Sequence, residues 1–265
     1  MTTIMDRLFG AHGKHVVVTG GSRGIGRMIA TGFIEAGATV YISARKAEAC
    51  DAAAEEMNAL DAPGSCVSIP ADLSGQEGVD ALVAAVTAQT GELHVLVNNA
   101  GATWGAPLDE YPEDAFDKLF NINVKGAFLL TQAFLPVLRA TATDDDPARV
   151  INVGSIDGIR TPAMETYAYS TTKAGILALT RHLAKNLVRD GVLVNAIAPG
   201  PFESKMMAFA LGTEEGRDMV AAGVPARRIG QPDDMAAAAL FLAGKGSTYL
   251  VGETIVVDGG IANVG

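Results

Sequence analysis

The sequence is poor in several features that would point to other classes of protein. It contains two cysteines, Cys50 and Cys66, whose spacing fits no metal site, so we expect both to pack as small hydrophobic side chains. Its four histidines are scattered along the chain, and no metal site is predicted. No apolar run reaches the roughly 18 residues that a membrane-spanning helix needs. A net charge of −10 also argues against a nucleic-acid partner.

The amino terminus and the length set further limits. Residues 1–7 lack the charged-then-apolar layout of a secretory signal, so we expect a cytoplasmic protein. A chain of 265 residues, 49% of them hydrophobic, is long enough for one α/β domain with a large core. That single domain is expected to span residues 1–265.

Short apolar strands and longer helical patterns alternate along the chain. Strands are predicted over 14–20, 39–43, 66–69, 94–98, 149–153, 193–198 and 254–257. Helices are predicted over 25–36, 46–60, 78–90, 112–138, 163–189 and 232–242. This alternation predicts an α/β fold with a Rossmann-type, doubly wound parallel sheet. We expect 141–147 to be a solvated loop and 201–228, which is poor in regular pattern, to be a mobile flap beside the site.

A glycine-rich turn follows the first predicted strand. Gly20, Gly24 and Gly26 lie between that strand and a helical pattern, and strand 39–43 completes a βαβ unit. Glycines in this position let the backbone turn tightly and approach a pyrophosphate at the positive end of the helix. A glycine-rich run alone also fits an ordinary tight turn, but its place between a strand and a helix predicts nucleotide binding.

The end of the second strand indicates which nucleotide is bound. Ser43 is followed by Ala44, Arg45 and Lys46, with no carboxylate to bind the adenine ribose of NAD. Arg45, together with Arg23 inside the glycine turn, suits the 2′-phosphate of NADP. Arg45 could instead be a solvated charge, although a cation is disfavoured at the start of a helix. The sequence therefore favours NADP(H).

Tyr169 and Lys173 stand four residues apart within a predicted helix. One turn of helix places them on the same face. There the ammonium favours the phenolate, so we expect the pKa of the tyrosine to be lowered. A phenol tuned in this way serves as a general acid or base. Tyr167 has Thr171 at the matching position, so the spacing selects Tyr169; the alternative for the pair is an exposed contact without function.

These motifs occur in one order with others. Along the chain they are Thr19-Gly20 to Gly26, Asn98-Asn99-Ala100-Gly101, Asn123, Ser155, Tyr169 with Lys173, Pro199-Gly200 and Val257-Asp258-Gly259-Gly260. From about residue 14 to residue 260 the chain resembles the short-chain dehydrogenase/reductase family, in its compact single-domain branch. Most of these motifs follow predicted strands, and ligands of open parallel sheets bind beyond the carboxyl ends of the strands, so we expect one site at that edge.

The resemblance implies roles for individual residues. Ser155 would steady the substrate carbonyl oxygen, with a turn cap as its alternative. Tyr169 would give the proton, and Lys173 would also bind the nicotinamide ribose. Asn123 would kink its helix and hold a water leading to Lys173. Asp72 would meet the adenine or, alternatively, cap the next helix. The expected cofactor-binding residues are Gly20, Ser22, Arg23, Gly24, Ile25, Gly26, Ser43, Arg45, Asp72, Leu73, Asn99, Ala100, Gly101, Tyr169, Lys173, Pro199, Gly200, Phe202 and Ser204.

The resemblance also implies an NADPH-dependent enzyme that reduces a carbonyl to a secondary alcohol. Segments 101–106 and 146–152 most resemble a bacterial β-ketoacyl reductase linked to rhamnolipid-type synthesis, which makes a 3-oxoacyl thioester the expected substrate. The alternatives are an alcohol dehydrogenase for a sugar, polyol or steroid, and a catalytically silent nucleotide-binding sensor.

Two expectations concern partners. The apolar helices 112–138 and 163–189 resemble the pair that forms homodimers, and often homotetramers, in the family. The three aspartates at 144–146 would repel an acidic carrier protein, which favours delivery of the substrate as a coenzyme A ester. The alternative is that Arg181, Lys185 and Arg189, spaced along one helix face, supply a local basic patch for such a carrier.

Overall fold

A parallel sheet forms the centre of the protein, for which a computed structural model describes residues 3–264. Within that range the strands are β1 (His15–Thr19), β2 (Thr39–Ser43), β3 (Ser65–Ser68), β4 (Val95–Asn98), β5 (Ala148–Val153), β6 (Val192–Pro199) and β7 (Thr254–Val257). Their order across the sheet is β3-β2-β1-β4-β5-β6-β7. The chain crosses from β3 on one side to β4 on the other, which creates a crevice beside β1 where such sheets bind ligands.

Helices cover both faces of this sheet. In the described part of the chain they are α1 (Ile4–Phe9), α2 (Gly24–Glu35), α3 (Ala47–Asn58), α4 (Gln76–Thr87), α5 (Glu113–Phe120), α6 (Gly126–Thr141), α7 (Tyr167–Leu187), α8 (Ala208–Leu211), α9 (Glu214–Gly223) and α10 (Pro232–Ala243). None of these helices combines the length and the apolar composition that a membrane crossing requires. Over residues 3–264, no three His, Cys, Asp or Glu side chains are grouped so that they could hold a metal ion.

The central strands are buried on both faces. Val16 and Val18 of β1 pack into one core with α2, α3 and α10, whereas Val17 packs into a second core with α4, α6 and α7. Successive side chains of a strand point to opposite faces, so a strand between two cores must be apolar throughout. The predicted doubly wound parallel sheet is confirmed. The outermost predicted residues, Met1, Thr2 and Gly265, lie outside the described range.

The predicted helix 112–138 is two helices joined by a wider turn. α5 ends at Phe120, Asn121–Lys125 forms a π-helical turn, and α6 begins at Gly126. An apolar pattern with a period near 3.6 continues through such a turn, so it does not reveal the insertion. The expected kink at Asn123 lies within this turn.

The segment 201–228 is more regular than expected. It contains α8 and α9 and a short 3-10 turn, Lys205–Met207. α9 has no buried residue, because its side chains face solvent and the cavity described below. A helix without an apolar stripe towards the core gives no periodic signal in the sequence.

The segment 141–147 is also more than a solvated loop. Asp146 pairs with Lys14, at 2.9 Å between Nζ and Oδ2, and with Arg149, at 3.5 Å. Lys14 and Arg149 are both buried, and Asp145 pairs with Lys245. Because Lys14 and Asp146 precede β1 and β5 and Arg149 is the second residue of β5, the group lies at the amino edge of the sheet, opposite the edge where ligands bind. The repulsion of an acidic carrier protein that was expected from 144–146 is therefore opposed by these cations, and it acts away from the ligand-binding edge.

Candidate active site

The glycine turn after β1 leaves no room for side chains. Gly20 has a φ of 65°, in the left-handed region that favours glycine. A Cβ on Gly26 would lie 2.3 Å from the carbonyl oxygen of Gly20 and 2.4 Å from Nδ2 of Asn99. These contacts keep the start of α2 close to the end of β1, so that the turn presents its backbone to the crevice.

Thr19 joins the glycine turn to the turn that follows β4. Its Oγ1 accepts hydrogen bonds from the backbone N–H groups of Asn99 and Ala100, both at 2.9 Å, and donates to the carbonyl of Val97. The side chain of Asn99 donates back to the carbonyl of Thr19 at 2.7 Å. The two neighbouring strand ends are thereby held together, and Gly101 lies exposed at the crevice.

The end of β2 presents one buried hydroxyl and two exposed cations. The Oγ of Ser43 is buried and has no hydrogen-bond partner among the described residues. Arg45 follows it, and Arg23 precedes α2; both are exposed. No ion pair within residues 3–264 involves either arginine. Both guanidinium groups are therefore available to an anion beside Ser43.

Asp72 is exposed at the same edge, and Leu73 beside it is buried in the core. The Oδ1 of Asp72 accepts the backbone N–H of Ser74 at 3.0 Å, a bond that lowers the pKa of this carboxyl, with Arg45 contributing less. Gly75, not Asp72, occupies the N-cap position of α4. Asp72 therefore orders the turn before the helix and does not cap it.

The segment after β6 closes the other side of the crevice. The N–H of Gly200, which follows Pro199, donates to the carbonyl of Val257 at 2.9 Å. The ring of Phe202 is buried against Gly230, so the backbone of Phe202, rather than its ring, is available to a ligand. Ser204 lies opposite Gly24, where an added Cβ would be 3.2 Å from the Cβ of Ser204.

These groups fit a dinucleotide phosphate. The glycine turn leaves the backbone open where a Cβ would fill the space, the buried Ser43 hydroxyl lacks a partner, and Arg23 and Arg45 supply positive charge. Ser22 and Ile25 complete the turn, and Ile25 lines the adjoining cavity. The cofactor prediction agrees with the chemistry of the residues present.

Tyr169 and Lys173 lie on one face of α7 as the spacing predicts. The Nζ of Lys173 is 5.7 Å from the centroid of the Tyr169 ring. It donates a hydrogen bond to the carbonyl of Val153, at the end of β5, at 2.8 Å. Lys173 is buried, which shows that the pair is not an exposed surface contact.

The expected lowering of the tyrosine pKa is wrong. Burial raises the pKa of Tyr169 to about 12; the Ser155 hydroxyl opposes this and the charge of Asp157 adds to it. Burial also lowers the pKa of Lys173 to about 8. The sequence spacing reveals the neighbour but not the desolvation, and desolvation disfavours the charged form of both groups. Tyr169 consequently holds its proton at neutral pH.

Ser155 lies beside Tyr169 at the end of β5. It is the N-cap of a short 3-10 turn, Ile156–Gly158, and its Oγ accepts the backbone N–H of Asp157 at 3.1 Å. The hydroxyl only accepts in this bond, so the cap does not use its proton. Ser155 therefore makes the turn cap that was its alternative role, and this cap orients the hydroxyl without using its donor.

Asn123 is buried within the π-helical turn. Its side chain makes paired hydrogen bonds with the backbone of Ala102, at 2.8 and 3.0 Å, and donates to the hydroxyl of Thr172 at 2.9 Å. A Cβ on Gly101 would lie 3.0 Å from its Oδ1 and 3.7 Å from Nζ of Lys173. Asn123 thus ties the turn after β4 to α7, directly beside Lys173.

Tyr167 points away from this group. Its hydroxyl donates to Oε1 of Glu165 at 3.1 Å, and its ring packs edge-on against Tyr111 with centroids 5.3 Å apart. It does not line the cavity next to Tyr169. The structure therefore agrees with the choice of Tyr169 over Tyr167.

A cavity of about 1110 Å³ connects these groups. Ser155 and Tyr169 line one side, and Pro199, Gly200 and Ser204 line the other. Much of the remaining wall is apolar, with members Trp104, Met164, Met206, Phe209, Met219 and Val224. α8 and α9 of segment 201–228 supply part of this wall, so the predicted position of that segment beside the site is correct.

Two features of the site escaped the sequence analysis. The backbone carbonyl of Val153 accepts a hydrogen bond from Lys173. The sequence could not predict this contact, because every residue type has a backbone carbonyl. Asp157 places a carboxylate in the cavity, and its position two residues after Ser155 was a signal that we did not use.

Comparisons with known proteins agree with this geometry. The family model described as Enoyl-(Acyl carrier protein) reductase matches residues 20–262. The chain is 44% identical to the rhamnolipids biosynthesis 3-oxoacyl-[acyl-carrier-protein] reductase of Pseudomonas aeruginosa, over 97% of this chain and 99% of the relative. It is 36% identical to the sorbitol dehydrogenase of Cereibacter sphaeroides, over 94% of this chain and 97% of the relative.

A solved structure extends the likeness to three dimensions. The Pseudomonas aeruginosa RhlG/NADP active-site complex matches with a TM-score of 0.92 at 43% identity, covering 97% of this chain and 99% of that one. The matched length includes the glycine turn, Ser155, and Tyr169 with Lys173. The chain belongs to the short-chain dehydrogenase/reductase family, as the order of its motifs predicted.

Proposed function

We propose that this protein is an NADPH-dependent reductase that converts the 3-oxo group of an acyl thioester into a secondary alcohol. The observation that carries the proposal is the position of Ser155 and Tyr169, which face one large and mostly apolar cavity beyond the strand ends. Two oxygen donors at one point of an apolar cavity suit the oxygen of a carbonyl that is attached to a hydrocarbon chain.

Tyr169 acts as the general acid and Ser155 as the oxyanion donor. The raised pKa of Tyr169, about 12, keeps the phenol protonated at neutral pH, which is the state that reduction requires. The hydroxyl of Ser155 donates to the carbonyl oxygen while negative charge develops there. Lys173 stabilises the phenolate that remains on Tyr169 after the proton has moved to the substrate oxygen.

The crevice beside β1 holds the cofactor. NADPH, when bound, supplies the hydride that the carbonyl carbon accepts. The glycine turn and Ser204 would hold its phosphates, Asp72 and the backbone of Leu73 would hold its adenine, and Asn99, Ala100 and Gly101 would hold its ribose. Arg45 and Arg23 would bind the 2′-phosphate, and the unpartnered hydroxyl of Ser43 would donate to the same group. The NADP complex of the solved relative supports this cofactor assignment.

Asn123 positions Lys173 and does not touch the reacting atoms. The side-chain amide of Asn123 is already hydrogen-bonded to Ala102 and Thr172. Any part in a proton path therefore falls to backbone groups that the π-helical turn leaves without an intrahelical partner. We propose that a carbonyl of this turn holds the water that was expected beside Lys173.

The apolar wall favours an acyl chain over a polyol. A hydrocarbon chain gains about 0.8 kcal/mol for each methylene that it buries, whereas the hydroxyls of a sugar need polar partners. The sorbitol dehydrogenase relative nevertheless makes polyol oxidation the second candidate. A catalytically silent sensor is disfavoured, because Ser155, Tyr169 and Lys173 are all present and brought together.

One set of assays tests the proposal. Purified protein is supplied with NADPH or NADH and with 3-oxoacyl thioesters of increasing chain length, and separately with NADP⁺ and sorbitol. We expect kcat/KM to rise with chain length and to be higher with NADPH. An enoyl thioester of equal length is the control for carbon–carbon double-bond reduction. Faster oxidation of sorbitol than reduction of every thioester would exclude the proposed function.

The carrier of the acyl group and the assembly of the protein are separate questions. Asp145 and Asp146 are paired, and residues 144–146 lie away from the site, so the preference for coenzyme A loses that argument, and a carrier-protein ester belongs in the same assay. We propose that the protein forms a homodimer or homotetramer. Three aromatic side chains on α5 and α6 support this assembly, because each remains at least 39% exposed; they are Phe116, Phe120 and Phe128. The cytoplasmic location stays a prediction.

A further inference from the structure

A carboxylate that the proposed reaction does not use lies inside the catalytic cavity. Asp157 follows Ser155 by two residues, on the 3-10 turn Ile156–Gly158. Its backbone N–H is bound to the Oγ of Ser155, and its half-buried side chain lines the same cavity as Tyr169. No side chain of residues 3–264 forms an ion pair with this carboxylate within 4 Å.

The charged groups that line the cavity differ in which neighbours they act on. Asp157 lines the same cavity as Ser155 and Tyr169, and its charge adds to the raised pKa of Tyr169, of which burial is the main cause. Arg160 is the one cation among the cavity-lining residues of the described chain. It is exposed, donates to the carbonyl of Ile261 at 3.2 Å, and acts on Asp157, lowering the pKa that burial raises. Among the charged residues that line the cavity, the one that acts on the Tyr169 phenol is therefore a carboxylate.

The second acidic group of the cavity, Glu165, does not act on Tyr169. Glu165 is exposed and accepts the hydroxyl of Tyr167, which points away from Tyr169. Glu165 is not among the charges that act on the Tyr169 phenol. It shares the chemistry of Asp157 but not the position, which makes it a matched control.

We propose that Asp157 sets the specificity of the reductase by excluding substrates that carry an anion next to the reacting carbonyl. This inference rests on the proposed function. In a free 3-oxo acid the carboxylate is one methylene away from the carbonyl, so binding of that carbonyl at Ser155 and Tyr169 would place the carboxylate in the cavity that Asp157 lines. Two like charges in a partly desolvated cavity repel strongly. A thioester or an oxygen ester is neutral at the same position and meets no such repulsion.

The test compares a charged and a neutral form of one substrate. The rate of NADPH oxidation is measured with 3-oxohexanoate, with its methyl ester and with its N-acetylcysteamine thioester. The proteins are the unmodified chain, Asp157→Asn and Glu165→Gln. The readout is the ratio of kcat/KM for the free acid to kcat/KM for the methyl ester, because a general loss of folding or catalysis changes both values and leaves their ratio unaltered.

We expect the unmodified protein to favour the esters and Asp157→Asn to raise the acid-to-ester ratio by about tenfold or more. Glu165→Gln should leave the ratio within about twofold. An unchanged ratio in Asp157→Asn, or an unmodified protein that reduces the free acid as readily as the methyl ester, overturns the role of Asp157 while the reductase assignment stands. An unmodified protein inactive on both esters overturns the reductase assignment, and the inference with it.

Discussion

The Nζ of Lys173 lies 5.7 Å from the ring centroid of Tyr169, one helical turn along α7, while its hydrogen bond goes to a backbone carbonyl of β5. The two residues therefore share a buried environment without a direct bond between their polar atoms. Burial raises the pKa of Tyr169 and lowers the pKa of Lys173, so the environment favours the uncharged form of each. This arrangement has consequences for the dependence of the rate on pH.

We predict that kcat/KM for NADPH falls as pH rises through about 8. The pKa of Lys173 is lowered to about 8, so the ammonium that serves Tyr169 is present below that pH and lost above it. Tyr169, with a pKa of about 12, stays protonated across the same range. A pH profile of kcat/KM reports groups of the free enzyme. Lys173→Arg keeps its cation to higher pH, so its profile should lack the break; a flat profile to pH 10 in the unmodified protein would contradict the assignment.

We predict that Arg45→Ala weakens NADPH binding and leaves NADH binding nearly unchanged. Arg45 is exposed beside the unpartnered hydroxyl of Ser43, and one charge-assisted contact to a phosphate contributes roughly 1.5–3 kcal/mol. Fluorescence titration of both cofactors measures the effect. Arg27→Ala is the control, because Arg27 pairs with Glu56 on the exposed side of α2. An equal loss for both cofactors would show that Arg45 does not bind the 2′-phosphate.

We predict that Asp146→Asn lowers the free energy of unfolding by about 3 kcal/mol, the usual cost of removing one partner from a buried ion pair. The substitution leaves buried Lys14 and Arg149 without their shared carboxylate. Urea denaturation measures the change. Asp145→Asn removes an exposed pair with Lys245 and should cost less than about 1 kcal/mol. Equal urea midpoints for the two variants would show that the segment 141–147 is a solvated loop, as its composition suggests.

The contrast between these aspartates shows where sequence reasoning succeeds and where it stops. Strand β2, Thr39–Ser43, has the bounds that the sequence predicts, because the residues of a strand between two cores are apolar on both faces. Asp146 is different, since its partner Lys14 is 132 positions away and no local pattern records the contact. Composition shows three acids in a row, and only the fold shows which of them is paired.

The same limit applies inside the site. The spacing of Tyr169 and Lys173 and their shared helix face were predictable, because both follow from the geometry of one helix. Their pKa values were not, because desolvation depends on everything packed around them. Asp157 carries no motif, and its importance depends on a cavity whose opposite wall comes from α8 and α9. Local geometry is encoded locally, whereas the electrostatics of a site belong to the assembled fold.

The central claim is that Tyr169 gives the proton to the carbonyl oxygen. Steady-state reduction of a 3-oxoacyl thioester by Tyr169→Phe, with Tyr167→Phe as the control, measures it directly. The account predicts that Tyr169→Phe loses turnover by on the order of 10²-fold or more, as expected for a general acid, while it still binds NADPH. Tyr167→Phe should keep most of the activity, because Tyr167 does not line the cavity and its hydroxyl donates to Glu165. Turnover by Tyr169→Phe within a few-fold of the unmodified protein would contradict the account.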